Sequence, residues 1–287
     1  MGALVTPIIG AAFILTGIEH SRSQLSAMPQ TQLEAYQVAE ANTVKGPYLV
    51  ITGLFLAVAL LIYFSNLPEV VEKDGDDALS TNRGGLRGLW PYKHLLKGIL
   101  AQFFYVGAQV GVASFVIRFV QFNIAGLPDK QAANYLKLHL LGFMIGRFTG
   151  SAVMKRIPAP RLLSVFGLGA LACLWIILLI GGLVPVWAIV LIGFFHSIMF
   201  PTIFALSIKH LGPHTKLGSS LLVMSIIGGA IFPPMMGYIS DLKNIRLAFL
   251  VPLICHGYVL YFALWGYLPS REAEATQLER VSELSAE

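Results

Sequence analysis

The feature that most constrains this chain is a series of eight apolar runs, each about as long as one crossing of a lipid bilayer. A helix needs about 20 residues to cross the hydrocarbon core, at about 1.5 Å of rise per residue. The runs are continuous, without alternation of apolar and polar residues, and so they favour helices over barrel strands. Only 12% of the residues are charged, against about 25% in soluble domains. The sequence therefore predicts an all-α membrane protein with about eight transmembrane helices, at residues 1–18, 46–65, 95–120, 133–154, 161–183, 186–209, 217–239 and 246–268.

A long charged segment divides these spans into two groups. Residues 66–94 hold charges of both signs and several glycines, which predicts a linker, with two spans before it in 1–65 and six after it in 95–268. Residues 269–287 are predicted to form a tail. In this arrangement 13 Lys and Arg residues lie on the same side of the membrane as the linker, and 7 lie on the other side. Because cytoplasmic loops carry the excess of Lys and Arg, we expect the linker, the tail and both termini to face the cytoplasm. The expected location is the cell (inner) membrane.

Residues 199–241 place helix-disturbing residues inside two of the spans. Pro201 lies in the first, and Gly228, Gly229 and Pro233 lie in the second. A broken helix is tolerated in a bilayer where neighbouring helices or a water-filled cavity satisfy the freed backbone groups. We therefore predict gating or hinge roles for these four residues. The alternative is ordinary kinking, since Gly and Pro are common in membrane helices.

One face of the span at 95–120 carries a polar stripe. Gln102, Tyr105 and Gln109 are spaced at i, i+3 and i+7, which puts them on the same side of a helix. Two amides and a phenol supply donors and acceptors that suit sugar hydroxyl groups. The sequence predicts that these residues bind substrate, and the alternative is hydrogen bonding between helices.

Histidines within the spans are the other polar candidates. His139 and His196, with Phe200 one turn after His196, are predicted to complete a substrate-binding wall, although a membrane histidine is more often a packed, hydrogen-bonded group. His210 and His214 have a metal-like spacing, but Gly212 and Pro213 interrupt the helix that this spacing requires, so no metal site and no cofactor is predicted. Nucleic acid is excluded as a partner because the net charge of +5 resides in the membrane loops.

Acidic residues are absent from the middle of every predicted span. All 15 lie in loops, tails or span ends, whereas proton relays in membranes use embedded ionisable groups. A membrane-embedded enzyme that uses the histidines would need acids at the same depth, so the sequence predicts that the chain is not an enzyme. Arg147, at the cytoplasmic end of its span, is predicted to latch a gate by pairing with helix ends or acids; simple anchoring is the alternative.

Five motifs along the chain resemble the fucose permease family of the major facilitator superfamily. They are Gln102–Gln109, Ala132–Leu136, Gly146–Gly150, Pro201–Phe204, and Gly218–Ser220 followed by Ile226–Gly229. The resemblance implies a helical major facilitator bundle that matches spans 5–12 and lacks spans 1–4. It also implies that the coupling carboxylates of the family belong to the missing spans. The loop after Arg147, with Lys155 and Arg156, resembles the basic loop signature of the superfamily.

That family comprises sugar–proton symporters for fucose, glucose and galactose. The resemblance implies proton-coupled sugar transport by alternating access, with a monosaccharide, protons and the lipid bilayer as partners. It further implies that this chain is a partial transporter, which a four-span N-terminal segment would complete. The alternatives are a non-transporting fragment that needs a partner and the histidine-dependent enzyme discussed above.

Overall fold

The computed structural model describes residues 28–64 and 88–269, and every regular element in these ranges is helical. This confirms the predicted all-α class. Helix α1 runs from Gln30 to Phe64. The following helices are α2 Lys93–Asn123, α3 Asp129–Val153, α4 Ala159–Leu179, α5 Val184–His196, α6 Met199–Ser207, α7 Thr215–Met224, α8 Gly228–Leu242, α9 Ile245–Ala248 and α10 Leu250–Tyr261. A π-helical turn at Phe262–Gly266 continues α10.

The predicted spans match these helices with small changes at their ends. Five segments are long and apolar enough to cross a membrane, namely Lys93–Asn123, Ala159–Leu179, Val184–Ser207, Thr215–Leu242 and Ile245–Gly266. The predicted span at 133–154 forms α3, whose charged and amide residues make it less apolar than the other five. The span predicted at 46–65 corresponds to the apolar part of α1, Tyr48–Phe64. The span at 1–18, the tail and most of the linker lie outside the described residues.

The polar segment before the second span is helical from Gln30 onwards. Helix α1 begins at Gln30 and continues without interruption into the apolar part. The backbone N–H groups of Gln32 and Leu33 both donate to the carbonyl of Pro29 and so form its first turn. Residues such as Gln, Glu and Ala favour helix, which explains why the segment from Gln30 joins the span.

Helix α2 lies at the centre of the unit formed by residues 88–269. It packs against α3, α6, α8 and α10. Because lipid tails are as apolar as its side chains, this association depends on close van der Waals packing rather than on escape from water. Gly107 and Gly111 let α8 approach, since a Cβ at these positions would lie 2.0 Å from the Phe232 ring and 2.5 Å from the Met236 sulfur.

Helices α3 and α5 also meet through glycines. A Cβ on Gly146 would lie 2.5 Å from the carbonyl oxygen of Phe194, and one on Gly193 would lie 2.2 Å from that of His139. Any larger residue would force the two backbones apart. This close contact positions His139 and Arg147 of α3 beside the C-terminal end of α5.

The two ends of the unit differ in charge. At one end Arg118 forms an ion pair with Asp241 at 3.5 Å, and Gln121 donates to Asp129. Between residues 88 and 269 these are the only acids. The opposite end carries Lys97 and Lys209 among other bases. Within the described unit, therefore, no carboxylate lies inside the bundle.

Candidate functional site

The polar interior of the unit is built around a break between α5 and α6. Helix α5 ends at His196 and α6 begins at Met199, so the break falls at Ser197–Ile198. Pro201 has no backbone N–H to donate to the carbonyl four residues earlier, which is that of Ser197. The helix is therefore interrupted one turn before Pro201, and a hinge role for this residue stays a prediction.

Two side chains donate to the carbonyl groups at this break. The Tyr105 hydroxyl donates to the carbonyl of His196 at 2.6 Å, and Arg147 Nε donates to the carbonyl of Ser197 at 3.4 Å. The guanidinium of Arg147 also lies over the Phe143 ring, 5.0 Å from its centroid. Since unsatisfied carbonyls are costly in the membrane interior, α2 and α3 together stabilise the broken helix.

Three buried imidazoles, His139, His196 and His256, form what we call the histidine row. The rings of His196 and His256 are nearly parallel with 4.9 Å between their centroids, and their Nε2 atoms are 2.9 Å apart. His139 lies on the other side of His196, with 6.3 Å between ring centroids and nearly perpendicular planes. His139 Nδ1 is 2.7 Å from the carbonyl of Ile189, and His256 Nδ1 is 2.8 Å from that of Pro252. The row thus joins α3, α5 and α10 across the interior.

The polar stripe of α2 only partly reaches the surface of the unit. Gln102 and Tyr105 are fully buried, whereas Gln109 is partly exposed. Neither the nitrogen nor the oxygen of the Gln102 amide has a hydrogen-bond partner among the described residues. Phe200 is partly buried and stacks on Phe204 at 6.5 Å. The predicted contacts of these residues with substrate stay predictions.

The hinge residues predicted on the seventh span differ in their surroundings. Gly228 is buried where α8 meets α2, and a Cβ there would lie 2.1 Å from the carbonyl oxygen of Phe103. A Cβ on Gly229 would lie 3.2 Å from Val110. Pro233 and Pro234 lie inside α8, which follows a 3₁₀ turn at Ser225–Ile227. The interruption is thus a change of helix type at the start of α8, with Gly228 allowing the close helix contact.

The described interior offers hydrogen-bonding groups and imidazoles. The described ranges hold no cluster of three or more His, Cys, Asp or Glu residues that could bind a metal ion. Ser197 and His196 each keep one unpartnered buried polar atom, Oγ and Nδ1 respectively. Neutral groups of this kind can bind hydroxyl groups or water and can accept a proton.

Sequence reasoning missed two members of this arrangement. His256 is not part of the predicted site, because nothing in its spacing links it to His196, 60 residues away. The role of the Ser197 carbonyl follows from its position four residues before Pro201. That signal was available in the sequence.

The comparisons with known proteins agree with this architecture. Residues 1–225 match the family model described as Major Facilitator Superfamily. The chain belongs to the Major Facilitator Superfamily. It is a multi-pass membrane protein by this membership and by its apolar helices. This membership, together with the transporters that the chain resembles, confirms the prediction that the chain is not an enzyme.

Relatives within the superfamily confirm the resemblance found in the motifs. The chain is 39% identical over 265 residues to the L-fucose-proton symporter of Escherichia coli, which covers 91% of this chain and 60% of the relative. It is 37% identical over 267 residues to a glucose/galactose transporter of Brucella abortus, covering 93% and 60%. A crystal structure of the transporter FucP in the outward conformation matches with a TM-score of 0.67 and 38% identity, covering 92% of this chain and 65% of that one. The chain therefore spans about 60% of the length of these relatives.

Proposed function

We propose that this major facilitator chain is part of a proton-coupled transporter of a monosaccharide of the fucose, glucose or galactose type. The observation that carries the proposal is the 39% identity to an L-fucose-proton symporter across 91% of the chain. Transport would follow the alternating-access scheme, in which two helical bundles rock about a site between them.

The interior of the six-span unit supports a role in recognising a polar substrate. Gln109 and Phe200 are partly exposed and could contact a sugar by hydrogen bonding and by packing against its apolar face. Gln102, Tyr105, His139 and His196 lie behind them in the buried interior. Their contact with sugar would require the unit to open, and the break at Ser197–Ile198 and the start of α8 are the positions where a helix could bend.

The length of the match supports a partial transporter. We propose that residues 1–65 supply the last two spans of one bundle and residues 95–268 the complete second bundle. A four-span segment would then complete the first bundle. The second candidate is a non-transporting fragment that associates with a partner, which the 60% coverage of the relatives also favours.

We further propose a location in the inner membrane with both termini and the 66–94 linker on the cytoplasmic side. The 13-to-7 distribution of Lys and Arg between the two sides supports this orientation. Lipid would then surround the outer faces of α4 and α5, where Leu168, Trp175 and Leu191 are exposed.

The test is sugar uptake in cells that lack their own transporters. Cells expressing the 287 residues alone should accumulate no sugar, because the proposed four-span segment, which would supply one wall of the cavity, is not expressed. Coexpression of a separate four-span segment from a relative should restore pH-driven uptake. Robust accumulation by the 287 residues alone would refute the partial-transporter proposal, and failure with every complementing segment would favour the non-transporting fragment.

A further inference from the structure

The hydrogen-bonded pair of His196 and His256 carries an inference that rests on the proposed proton coupling but concerns a different location. We propose that this pair is a proton-binding site within the six-span unit, and that His196 Nδ1 is the atom that accepts the proton. It would act independently of any carboxylate in the proposed four-span segment.

The hydrogen bonds of the pair fix its tautomers. His256 Nδ1 is 2.8 Å from the carbonyl of Pro252, which can only accept, so this nitrogen carries a hydrogen. In the neutral imidazole, His256 Nε2 is then an acceptor. His196 Nε2, 2.9 Å away, must be the donor, and the neutral ring leaves His196 Nδ1 with a free lone pair. The chain of hydrogen bonds thus ends on one basic atom.

That terminal atom is buried and has no partner among the described residues. Both rings of the pair are fully buried. A buried acceptor without a partner is costly, so the site is built to receive one more hydrogen. The step is a simple proton transfer, in which a hydronium ion gives its proton to His196 Nδ1 and leaves as water. His196 then becomes an imidazolium whose Nε2–H donates a charge-assisted hydrogen bond to neutral His256.

The surroundings of His196 contain few other titratable groups. Helix α2 contributes Tyr105, which is committed to the His196 carbonyl, and α3 contributes His139 and the Arg147 guanidinium. Helix α4 places the Cys173 thiol in the packed interior, and α10 places Cys255 next to His256. The acids of residues 88–269 are at the far end of the unit, so no carboxylate competes for the proton. Burial of the charge and the Arg147 cation both oppose uptake, and the hydrogen bond to His256 favours it.

The position of the pair links proton binding to the broken helix. His196 is the last residue of α5, and its carbonyl and the next one are held by Tyr105 and Arg147. His256 lies on α10, so the Nε2–Nε2 hydrogen bond joins two helices at the break. A charge added at His196 changes both this hydrogen bond and the repulsion from Arg147. The proton therefore binds where a change in helix geometry is structurally easiest.

The experiment uses the full 287-residue chain, labelled with ¹⁵N-histidine and reconstituted in liposomes. Imidazole ¹⁵N resonances are recorded by solid-state NMR from about pH 8 to about pH 4, a range that brackets the titration of ordinary histidine. Above the transition we expect Nε2–H in His196 and Nδ1–H in His256, with a coupling between their facing nitrogens. On acidification the pair should take up one proton, at His196 Nδ1.

Three variants sharpen the result. H196Q should abolish this uptake, and H256L, which has no acceptor, should weaken proton affinity about tenfold or more through loss of a charge-assisted hydrogen bond. H210Q, in the turn after α6, should leave it unchanged. The proposal is overturned if the tautomers are reversed, if both rings stay neutral throughout the range, or if uptake survives in H196Q. The tautomers and the uptake of the unsubstituted chain decide the matter even where a variant does not fold.

These resonances do not depend on sugar transport. An intact titration in a chain that no complementing segment makes active would reject the proposed symport and leave the proton site standing. A chain that transports sugar while both histidines stay neutral would reject the proton site and leave the proposed symport standing.

Discussion

At the scale of single residues, the most informative side chain is Gln102. It is fully buried, and both atoms of its amide lack a partner among the described residues. A buried unpartnered polar group costs about 1–3 kcal/mol. Either the amide contacts sugar in the completed protein, or it only lowers the stability of the unit.

Replacement of Gln102 by leucine separates these possibilities. Leucine has a similar volume and no polar atoms, so Gln102→Leu should stabilise the 287-residue chain by about 1–3 kcal/mol, measured by thermal unfolding in detergent. In a completed twelve-span protein the same change should weaken sugar binding, and Gln109→Ala should weaken it by roughly 0.5–1.5 kcal/mol. Unchanged sugar affinity in both variants would make the stripe structural and remove it from the substrate site.

The residue scale also shows where sequence reasoning stops. Helical periodicity correctly places Gln102 and Tyr105 on one face, because i and i+3 are neighbours on any helix. It cannot show which helix covers that face. The hydroxyl of Tyr105 reaches a carbonyl 91 residues away, and this depends on how α2 packs against α5. The pairing of His196 with His256 was unpredictable for the same reason.

At the scale of the helices, breaks and close contacts were easier to predict, because proline and glycine act through the backbone. Pro201 removes one backbone hydrogen bond, and the break in the helix begins four residues before it, at Ser197. The sequence identified the position of the disturbance. It did not identify the donors, Tyr105 and Arg147, that compensate for it.

Substitution of Pro201 tests whether the break is a hinge. Pro201 is the third residue of α6, and Pro201→Ala restores an N–H that can donate to the Ser197 carbonyl and so let α5 continue into α6. We expect slower hydrogen exchange of the amides at 199–203 and reduced transport in the completed protein. The matched control is Pro185→Ala, because Pro185 lies in the first turn of α5, where no helical hydrogen bond is lost. Equal effects of the two changes would argue against a hinge at Ser197.

Two glycines of α8 offer a matched pair for the helix contact with α2. Gly228→Ala would place a Cβ 2.1 Å from the Phe103 carbonyl oxygen, whereas Gly237 has no neighbour within 4 Å. Gly228→Ala should therefore destabilise the chain by about 1–3 kcal/mol through forced separation of the helices. Gly237→Ala should stabilise it by roughly 0.5–1 kcal/mol, as for any glycine inside a helix. Thermal unfolding of both variants checks this difference. If Gly228→Ala leaves the stability unchanged, α8 is not tightly packed against α2 at this position.

At the scale of the whole molecule, the central prediction concerns orientation. Cysteines 173 and 255 are both buried, so a cysteine-free background can carry single cysteines at Gln30 and Ser80. These positions should react with an impermeant thiol reagent from opposite sides of the membrane, with Ser80 on the cytoplasmic side. The side expected for Ser80 follows from the 13-to-7 distribution of Lys and Arg, because the richer side faces the cytoplasm. Labelling of both positions from one side would rule out the eight-span arrangement.

Helix α1 has a consequence for how motion could be observed. Its 35 residues extend for about 52 Å, whereas the hydrocarbon core is about 30 Å thick. Some 20 Å or more of this uninterrupted helix must therefore project beyond the hydrocarbon, with Gln30 at its tip. Gly46 and Pro47 lie between the projecting part and the apolar part that begins at Tyr48, and a proline inside a helix is a place where the helix bends. A bend of about 10° at this point would move the end of the projecting part by roughly 4 Å, which a spin label at Gln30 would report as a displacement.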